Sequence, residues 1–209
     1  MHLEQLEGGL TLIGPEGEQL RVELQPTPGR PTVVRAVSAG SGPAPVVIDA
    51  TAGLGGDAFD LAHAGCRVLA IERDPTVWQL LADGLRRALA DPALADTAAR
   101  IELLHGDARE LLGRHGPVDA VYLDPLFAVR RRQAGKRKGM KLLQLLGGEK
   151  PPSAAAEGEL LDAAQDAARR RVAVKRQLRA PWLADREPSG SIRGRTVRFD
   201  LYAGRAGKR

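Results

Sequence analysis

The sequence predicts an α/β protein built on a doubly wound, mainly parallel sheet and preceded by a small β element. Three observations carry that expectation. From Pro45 onward, apolar runs of strand length alternate with stretches of helical periodicity. A glycine-rich stretch, Asp49-Ala-Thr-Ala-Gly53-Leu-Gly55-Gly56-Asp57, falls directly between the first such strand and the first helix. Acidic residues recur where later strands end, at Glu72, Asp107 and Asp124. The 209 residues suffice for one α/β core and a small appendage. The expected division is 1–44 for the N-terminal β element and linker, and 45–209 for the main domain.

The elements follow in order. Gly9–Ile13 and Glu18–Leu24 alternate around the turn sequence Gly14-Pro15-Glu16-Gly17 and read as strands. Gln25–Pro31 is a Pro/Gly breaker, Arg30–Ala39 a short helix, and Ser38–Pro45 a linker. Val46–Ala50 is the first strand of the main sheet, and Asp57–Ala64 a helix stopped by Gly65. Arg67–Glu72 is the second strand. Pro75–Ala90 carries an apolar stripe at Val77, Leu80, Leu81, Leu85 and Leu89. Ile101–Leu104 and Val118–Leu123 are further strands, with a short helix at Ala108–Leu112 between them. Lys150–Gly158 reads as a loop, Leu160–Arg170 as a helix, and Val172–Lys175 as a strand. Thr196–Tyr202 alternates as a terminal strand. Strands joined through helices imply right-handed crossovers and a parallel sheet.

Composition narrows the function classes. Cys66 is the only cysteine, which excludes an internal disulfide framework and a multi-cysteine zinc site. His2, His63, His105 and His115 have no ligand spacing, so no metal is expected. No apolar run reaches the roughly 18–20 residues of a membrane span. Met1–Gly14 lacks the pattern of a secretory signal, so a cytoplasmic protein is expected. The net charge of +5 hides a polarity. Residues 1–125 carry ten Arg and 18 acidic residues, a net −8, whereas residues 126–209 carry 21 basic and eight acidic residues, a net +13. A molecule with one strongly basic end reads as a binder of phosphates or of an acidic surface.

Glycines between a strand and a helix let the chain turn tightly and let a ligand approach the backbone, with free N–H groups at the helix N-terminus behind it. Asp49, Gly53, Gly55, Gly56 and Asp57 are therefore candidate cofactor-binding residues. Glu72 ends the second strand 19 residues after Gly53, and a carboxylate there can accept both hydroxyls of a ribose. NAD and S-adenosylmethionine fit these features equally. Asp107 is suited either to an adenine amino group or to a helix N-cap.

The loop after Val118–Leu123 separates the two cofactors. Tyr122-Leu123-Asp124-Pro125-Leu126-Phe127 resembles the Asp/Asn-Pro-Pro-aromatic motif of amino-group methyltransferases. The lone pair of an exocyclic amino nitrogen is conjugated with its ring, so the group is a poor nucleophile. A carboxylate (Asp124) and a carbonyl aimed by Pro125 can accept its hydrogens, while Phe127 holds the base by stacking. The basic cluster Arg130, Arg131, Arg132, Lys136, Arg137, Lys138 and Lys141 follows and reads as a phosphate grip for RNA. Arg171, Lys175, Arg176 and Arg179 add charge around the strand near 172–175.

Together these residues resemble the ribosomal RNA small subunit methyltransferase J family. The blocks are VVIDATAGLGGDAF (46–59), AIERDPTV (70–77) with LLADGLRRA (80–88), KRKGMKLLQLLGG (136–148), VYLDPLF (121–127), RRVAVKR (170–176) and RFDLYAG (198–204). The resemblance covers about three quarters of the chain. It implies a class I S-adenosylmethionine-dependent methyltransferase fold, with a seven-stranded sheet whose last strand runs antiparallel. It implies methyl transfer to guanine N2 in 16S rRNA, with the rRNA or the small ribosomal subunit as partner. By the same resemblance the cofactor contacts fall on Gly56-Asp57, Glu72-Arg73, Asp107-Ala108 and Asp124. The chain departs from the family in having Gly56 where Arg is usual, Asp107-Ala108 for a serine pair, and Asp-Pro-Leu-Phe-Ala for Asp-Pro-Met-Phe-Pro. Its basic stretch before the first main strand is cut down to QPTPGRP (25–31). Two alternatives are an NAD(P)-dependent oxidoreductase and a non-catalytic RNA-binding assembly factor with a relict cofactor pocket. The first calls for a hydride-transfer site and a substrate domain that the chain does not show, and the second is opposed by intact Glu72 and Asp124.

Overall fold

The computed structural model of the chain describes residues 1–38, 42–125 and 153–207. Three N-terminal strands, β1 (His2–Leu6), β2 (Gly9–Ile13) and β3 (Gln19–Leu20), form an antiparallel sheet in that order. A helix, α1 (Thr32–Ser38), leads to the main sheet. Its elements are β4 (Val46–Asp49), α2 (Gly56–His63), β5 (Arg67–Glu72), α3 (Pro75–Ala90), α4 (Ala95–Ala98), β6 (Ile101–His105), α5 (Ala108–His115), β7 (Val118–Leu123), α6 (Ala154–Ala167), β8 (Ala168–Gln177), β9 (Gly190–Arg193) and β10 (Val197–Ala203).

The strand order is β6-β5-β4-β7-β8-β10-β9. The five strands from β6 to β8 are parallel, and β10 runs antiparallel to both β8 and β9. The chain leaves β4 toward β5 and β6, then crosses back to β7 on β4's other side. That reversal opens a crevice at the carboxyl ends of β4 and β7, the place where doubly wound sheets bind ligands. One face of the sheet packs α1, α2 and α3, with Phe59, Leu61, Leu80 and Leu81 buried against Val47, Val68 and Tyr122. The other packs α5 and α6, with Leu112, Leu161 and Ala164 against Ile48, Val121 and Val172.

Local chemistry sets the boundaries. Asp74 caps α3 by accepting from the Thr76 and Val77 N–H groups at 2.9 and 3.0 Å, and Pro75 supplies the preset φ of a first helical residue. The buried stripe of α3 ends on Ala88, while Leu89 is exposed. Eleven residues are close to three helical turns, so Ala88 returns beneath Val77 and Leu89 is carried about 100° away. The Glu18–Leu24 alternation does bury Leu20, Val22 and Leu24, yet only Gln19–Leu20 has a strand partner.

Two expected elements end elsewhere. The loop expected over Lys150–Gly158 is in its described part the start of α6: Ser153 accepts from the Ala156 N–H at 3.2 Å, and the alanine run continues as helix. The helix expected to reach Arg170 stops at Ala167. Residues 168–177 are a strand instead, because β7 on one side and β10 on the other both offer ladder partners. Tertiary pairing overrides the local preference of Arg169–Arg171. The short strands β1 and β9 lack a legible pattern in sequence.

The N-terminal sheet docks on α3. Asp83 accepts from the Leu10 N–H at 3.0 Å and pairs with Arg87 at 2.8 Å, and Arg87 also donates to the Val22 carbonyl. Leu12, Leu20, Val22 and Leu24 join the core of the main sheet. Gly84 permits this approach: a Cβ there would lie 2.5 Å from Val22 Cγ1 and 3.0 Å from Val22 Cβ. Gly84→Ala therefore opposes two effects. Helix propensity gains up to ~1 kcal/mol, while overpacking against a β-branched neighbour costs about 1–3 kcal/mol. The expected outcome is net destabilisation, read as a lower denaturant midpoint with an unchanged m-value. A stabilised variant would show that the N-terminal sheet yields freely.

Candidate active site

The glycine loop turns through left-handed conformations at Gly53 (φ 53°) and Gly55 (φ 79°), the latter serving as N-cap of α2. A Cβ on Gly55 would strike Leu81 Cδ1 at 2.4 Å, so this glycine sets how closely the loop packs on α3. Gly53 and Gly56 differ: a Cβ would meet no atom closer than 4.0 Å at Gly53 and nothing within 4 Å at Gly56. The loop backbone thus borders open space. Glu72, at the end of β5, accepts from the Gly53 N–H through Oε2 and from the Asp74 N–H through Oε1, both at 2.8 Å. Each carboxylate oxygen keeps a further lone pair, on a side chain that is not buried.

On the β7 side, Asp124 donates its N–H to Thr51 Oγ1 at 2.6 Å. The ammonium of Lys175, from β8, lies 3.0 Å from Asp124 Oδ2 and 2.7 Å from Asp57 Oδ2. The Tyr122 hydroxyl donates to the same Asp57 oxygen at 2.6 Å. Asp49 is buried beneath this group and accepts from the Thr51 N–H at 3.2 Å. Three carboxyl groups on β4, α2 and the end of β7 therefore gather around one ammonium.

Electrostatics follow from that crowding. Burial, reinforced by Asp57 and Asp124, holds the Asp49 carboxyl well above the usual carboxylate range. Burial also raises Asp124, with Lys175 opposing the rise and Asp57 adding to it. Burial and the neighbouring carboxylates push the Tyr122 hydroxyl well up, so it stays a donor. Lys175 pays a desolvation cost that Asp124 and Asp57 more than offset, and it remains an ammonium.

The remaining expected site residues sit nearby or outside the description. Asp107 caps α5 by accepting from the Arg109 N–H at 2.8 Å, and the Arg109 guanidinium engages both its oxygens, lowering the carboxyl pKa. The N-cap role is thus observed. Ala108 is buried beside it, and Arg73 is exposed with its carbonyl 3.2 Å from His105 Nε2. Pro125 is buried. Phe127 and the basic residues Arg130, Arg131, Arg132, Lys136, Arg137, Lys138 and Lys141 lie outside the described residues. Of the charge expected around β8, only Arg179 is exposed. Lys175 belongs to the carboxylate cluster, Arg176 is buried on the Pro181 carbonyl, and Arg171 reaches the Ala36 carbonyl. Sequence reasoning missed Thr51, Tyr122 and Lys175 as site residues. The available signal was strand alternation: Tyr122 and Asp124 share one face, and Lys175 shares a face with Ala173.

The residues fit a ribose-bearing sulfonium cofactor. A carboxylate with free lone pairs faces an open glycine loop, and beside it Asp57 and Asp124 share one ammonium, a net negative setting that suits a cation. Fold and crevice together define an S-adenosylmethionine-dependent methyltransferase, and residues 19–204 match the family described as "Putative SAM-dependent methyltransferase". The chain is 43% identical over 187 residues to a ribosomal RNA small subunit methyltransferase J from Thioalkalivibrio sulfidiphilus, covering 88% of this chain and 70% of that protein. It is 42% identical to the protein of the same name from Laribacter hongkongensis, over 84% of this chain and 61% of that one. A crystal structure of a SAM-dependent methyltransferase from Neisseria gonorrhoeae superposes with a TM-score of 0.71 at 37% identity, covering 93% of this chain and 78% of that one. The chain belongs to the ribosomal RNA small subunit methyltransferase J family. Among the described residues, no helix is long and apolar enough to cross a membrane.

Asp49→Asn tests the electrostatics independently of catalysis. Because the folded-state pKa of Asp49 is raised, the native protein holds its proton more tightly than the unfolded chain. Wild-type stability therefore falls as pH rises from the ordinary carboxylate range to the raised value. Asparagine keeps an acceptor for the Thr51 N–H and removes the titration. Thermal melts at increasing pH should show no difference at acid pH and a stabilised variant at neutral pH. A variant destabilised equally at every pH would contradict the assignment.

Proposed function

We propose that the protein transfers the methyl group of S-adenosylmethionine to the exocyclic N2 amino group of a guanine in 16S rRNA, acting in the cytoplasm on the rRNA or the small ribosomal subunit. The observation that carries this reading is the fixed Asp124-Pro125 corner at the carboxyl end of β7. Asp124 is pinned by Thr51 on one side and Lys175 on the other, across the crevice from Glu72. The names of the relatives supply the class of RNA, and the resemblance of the Asp-Pro-Leu-Phe corner supplies the amino group.

Bound in the crevice, S-adenosylmethionine supplies an electrophilic methyl group on a sulfonium. Glu72 accepts the ribose hydroxyls through the lone pairs that Gly53 and Asp74 leave free. The open backbone at Gly53 and Gly56 admits the cofactor, and Asp57 and Asp124, with one ammonium between them, hold the local potential negative. Arg73 and the Asp107-Ala108 turn border the adenine end. Asp124 accepts one amino hydrogen of guanine, and the main-chain carbonyl aimed by Pro125 accepts the other, which turns the nitrogen lone pair toward the methyl group. The N–C bond would form as the methyl C–S bond breaks, leaving a neutral thioether; Asp124 would stabilise the positive charge developing on nitrogen, whose acidified proton would pass to solvent. Phe127 stacks on the base, and Arg130–Lys141 grip the flanking phosphates. Lys175 is a positioning residue that keeps Asp124 ionised and aimed.

Glu72→Ala should weaken S-adenosylmethionine binding by about 1.5–3 kcal/mol, the scale of hydrogen bonds to a charged group. Calorimetry on the folded variant measures it, and unchanged affinity removes Glu72 from the site.

Asp124→Asn keeps the shape and loses the charge. Single-turnover methylation of small-subunit RNA at saturating cofactor should slow by roughly a hundredfold, the scale of one preorganised electrostatic group. The wild-type rate should fall with acidification through the raised Asp124 pKa. Lys175→Met removes the cation that opposes that rise, leaving burial and Asp57 to drive it, so the acid limb should move to higher pH. A wild-type rate in Asp124→Asn would sink the amino-methylation mechanism. Nucleoside mass spectrometry of rRNA from cells lacking the gene should show loss of N2-methylguanosine. If that nucleoside persists and another modification disappears, the proposed base or atom is wrong.

A further inference from the structure

Beyond the cofactor crevice, the carboxyl end of the sheet carries a second concavity. It has a volume of about 490 Å³ and lies over β8, β9 and β10, with Leu178, Arg179, Trp182, Asp185 and Arg193 in its walls. Strand register puts its floor level with the active site. Gln177 ends β8 opposite Val197, Arg198 pairs with Arg193 at the end of β9, and Lys175 of the carboxylate cluster lies only two residues before Gln177.

The loop after β8 is built rather than loose. Buried Arg198 donates to the carbonyls of Gln177, Leu178 and Ala180 at 2.8–2.9 Å. Buried Arg176 donates to the Pro181 carbonyl at 2.5 and 2.9 Å. Asp200 neutralises Arg198 at 2.9 Å and accepts from the Ser191 hydroxyl at 2.6 Å. Beyond the loop, Leu183 is buried, and Ala184 and Asp185 take left-handed conformations at φ 52° and 54°, rare for residues other than glycine. Two desolvated guanidinium groups and two strained residues thus fix a segment that turns Leu178 and Trp182 outward beside Arg179 and Asp185. Trp182 is 41% exposed and Leu178 39%, and both border one cavity. Folding alone gives no reason to hold an indole in water. Arg179 and Arg193 flank it, and Asp185 is the one exposed acid among the lining residues.

We infer that this loop is a binding site for a single-stranded RNA segment flanking the methylated nucleotide. Trp182 stacks on an unpaired base, and Arg179 and Arg193 pair with its phosphates. An aromatic platform between arginines is the chemistry that holds unpaired nucleotides, and its position beyond Lys175 places it along the strand from Asp124. The inference rests on the RNA methyltransferase reading.

The test uses the full chain and a protein-free 16S rRNA transcript. Trp182→Ala should weaken binding roughly tenfold, within the range for one stacked base, and Trp182→Phe should restore most of it. Arg179→Gln with Arg193→Gln should lower the slope of log K against log salt by roughly 1.4, at about 0.7 per single-strand phosphate contact. S-adenosylmethionine affinity should be unchanged in all of them. If wild type methylates the transcript while the variants bind it unaltered, the loop is not an RNA site. Weakened binding to assembled subunits with unaltered binding to the transcript assigns the loop to a ribosomal protein and overturns the proposal. If wild type methylates no small-subunit RNA, the underlying reading fails, and the loop inference with it.

Discussion

One ammonium group organises the active end of this protein. Lys175 reaches from β8 to Asp124 at the end of β7 and to Asp57 at the start of α2, with the buried Asp49 of β4 below. Without a cation there, three carboxyl groups on neighbouring elements would repel one another in a setting where water screens poorly. With it, Asp124 is held by its side chain and its backbone at once, because Thr51 from the glycine loop accepts its N–H. The Asp124-Pro125 corner and the glycine loop are therefore a single hydrogen-bonded unit. Its geometry is fixed before any ligand arrives, the condition under which electrostatic stabilisation needs no reorganisation.

The same economy recurs at Glu72. Its two oxygens each take one backbone N–H, from Gly53 and from Asp74. Asp74 in turn caps α3, and α3 carries Leu81, against which Gly55 closes. The glycine loop, the Glu72 carboxylate and the helix behind them hold one another in place. The N-terminal sheet adds to this through Gly84 and Asp83, so a region remote in sequence buttresses the helix that positions the loop.

At the opposite edge of the sheet, buried arginines serve backbone rather than ligand. Arg176 and Arg198 spend their donors on loop carbonyls, and a reading by composition alone assigns Arg176 to a phosphate surface. Charge at this edge divides by burial: buried Arg176 and Arg198 satisfy loop carbonyls, while exposed Arg179 and Arg193 flank a solvent-facing indole.

Much of the framework was legible from residues alone. β2, β5, α3 and β7 begin and end where periodicity, Asp74-Pro75 and strand alternation place them, since each is decided by signals within its own span. The turn at the glycine loop and the strand-end places of Glu72 and Asp124 were legible because a strand-to-helix turn and a strand's end are local patterns. What local patterns cannot hold is partnership. Residues 168–171 became strand because β7 and β10 flank them. Lys175 became the cation of the carboxylate cluster because parallel pairing with β7 sets it beside Asp124, a neighbour 51 positions earlier in the chain. Arg176, one residue on, faces the opposite side of the same strand and is buried in scaffold. Side-chain alternation sends adjacent cations to opposite fates, but only the sheet's neighbours and layers decide which fate each receives.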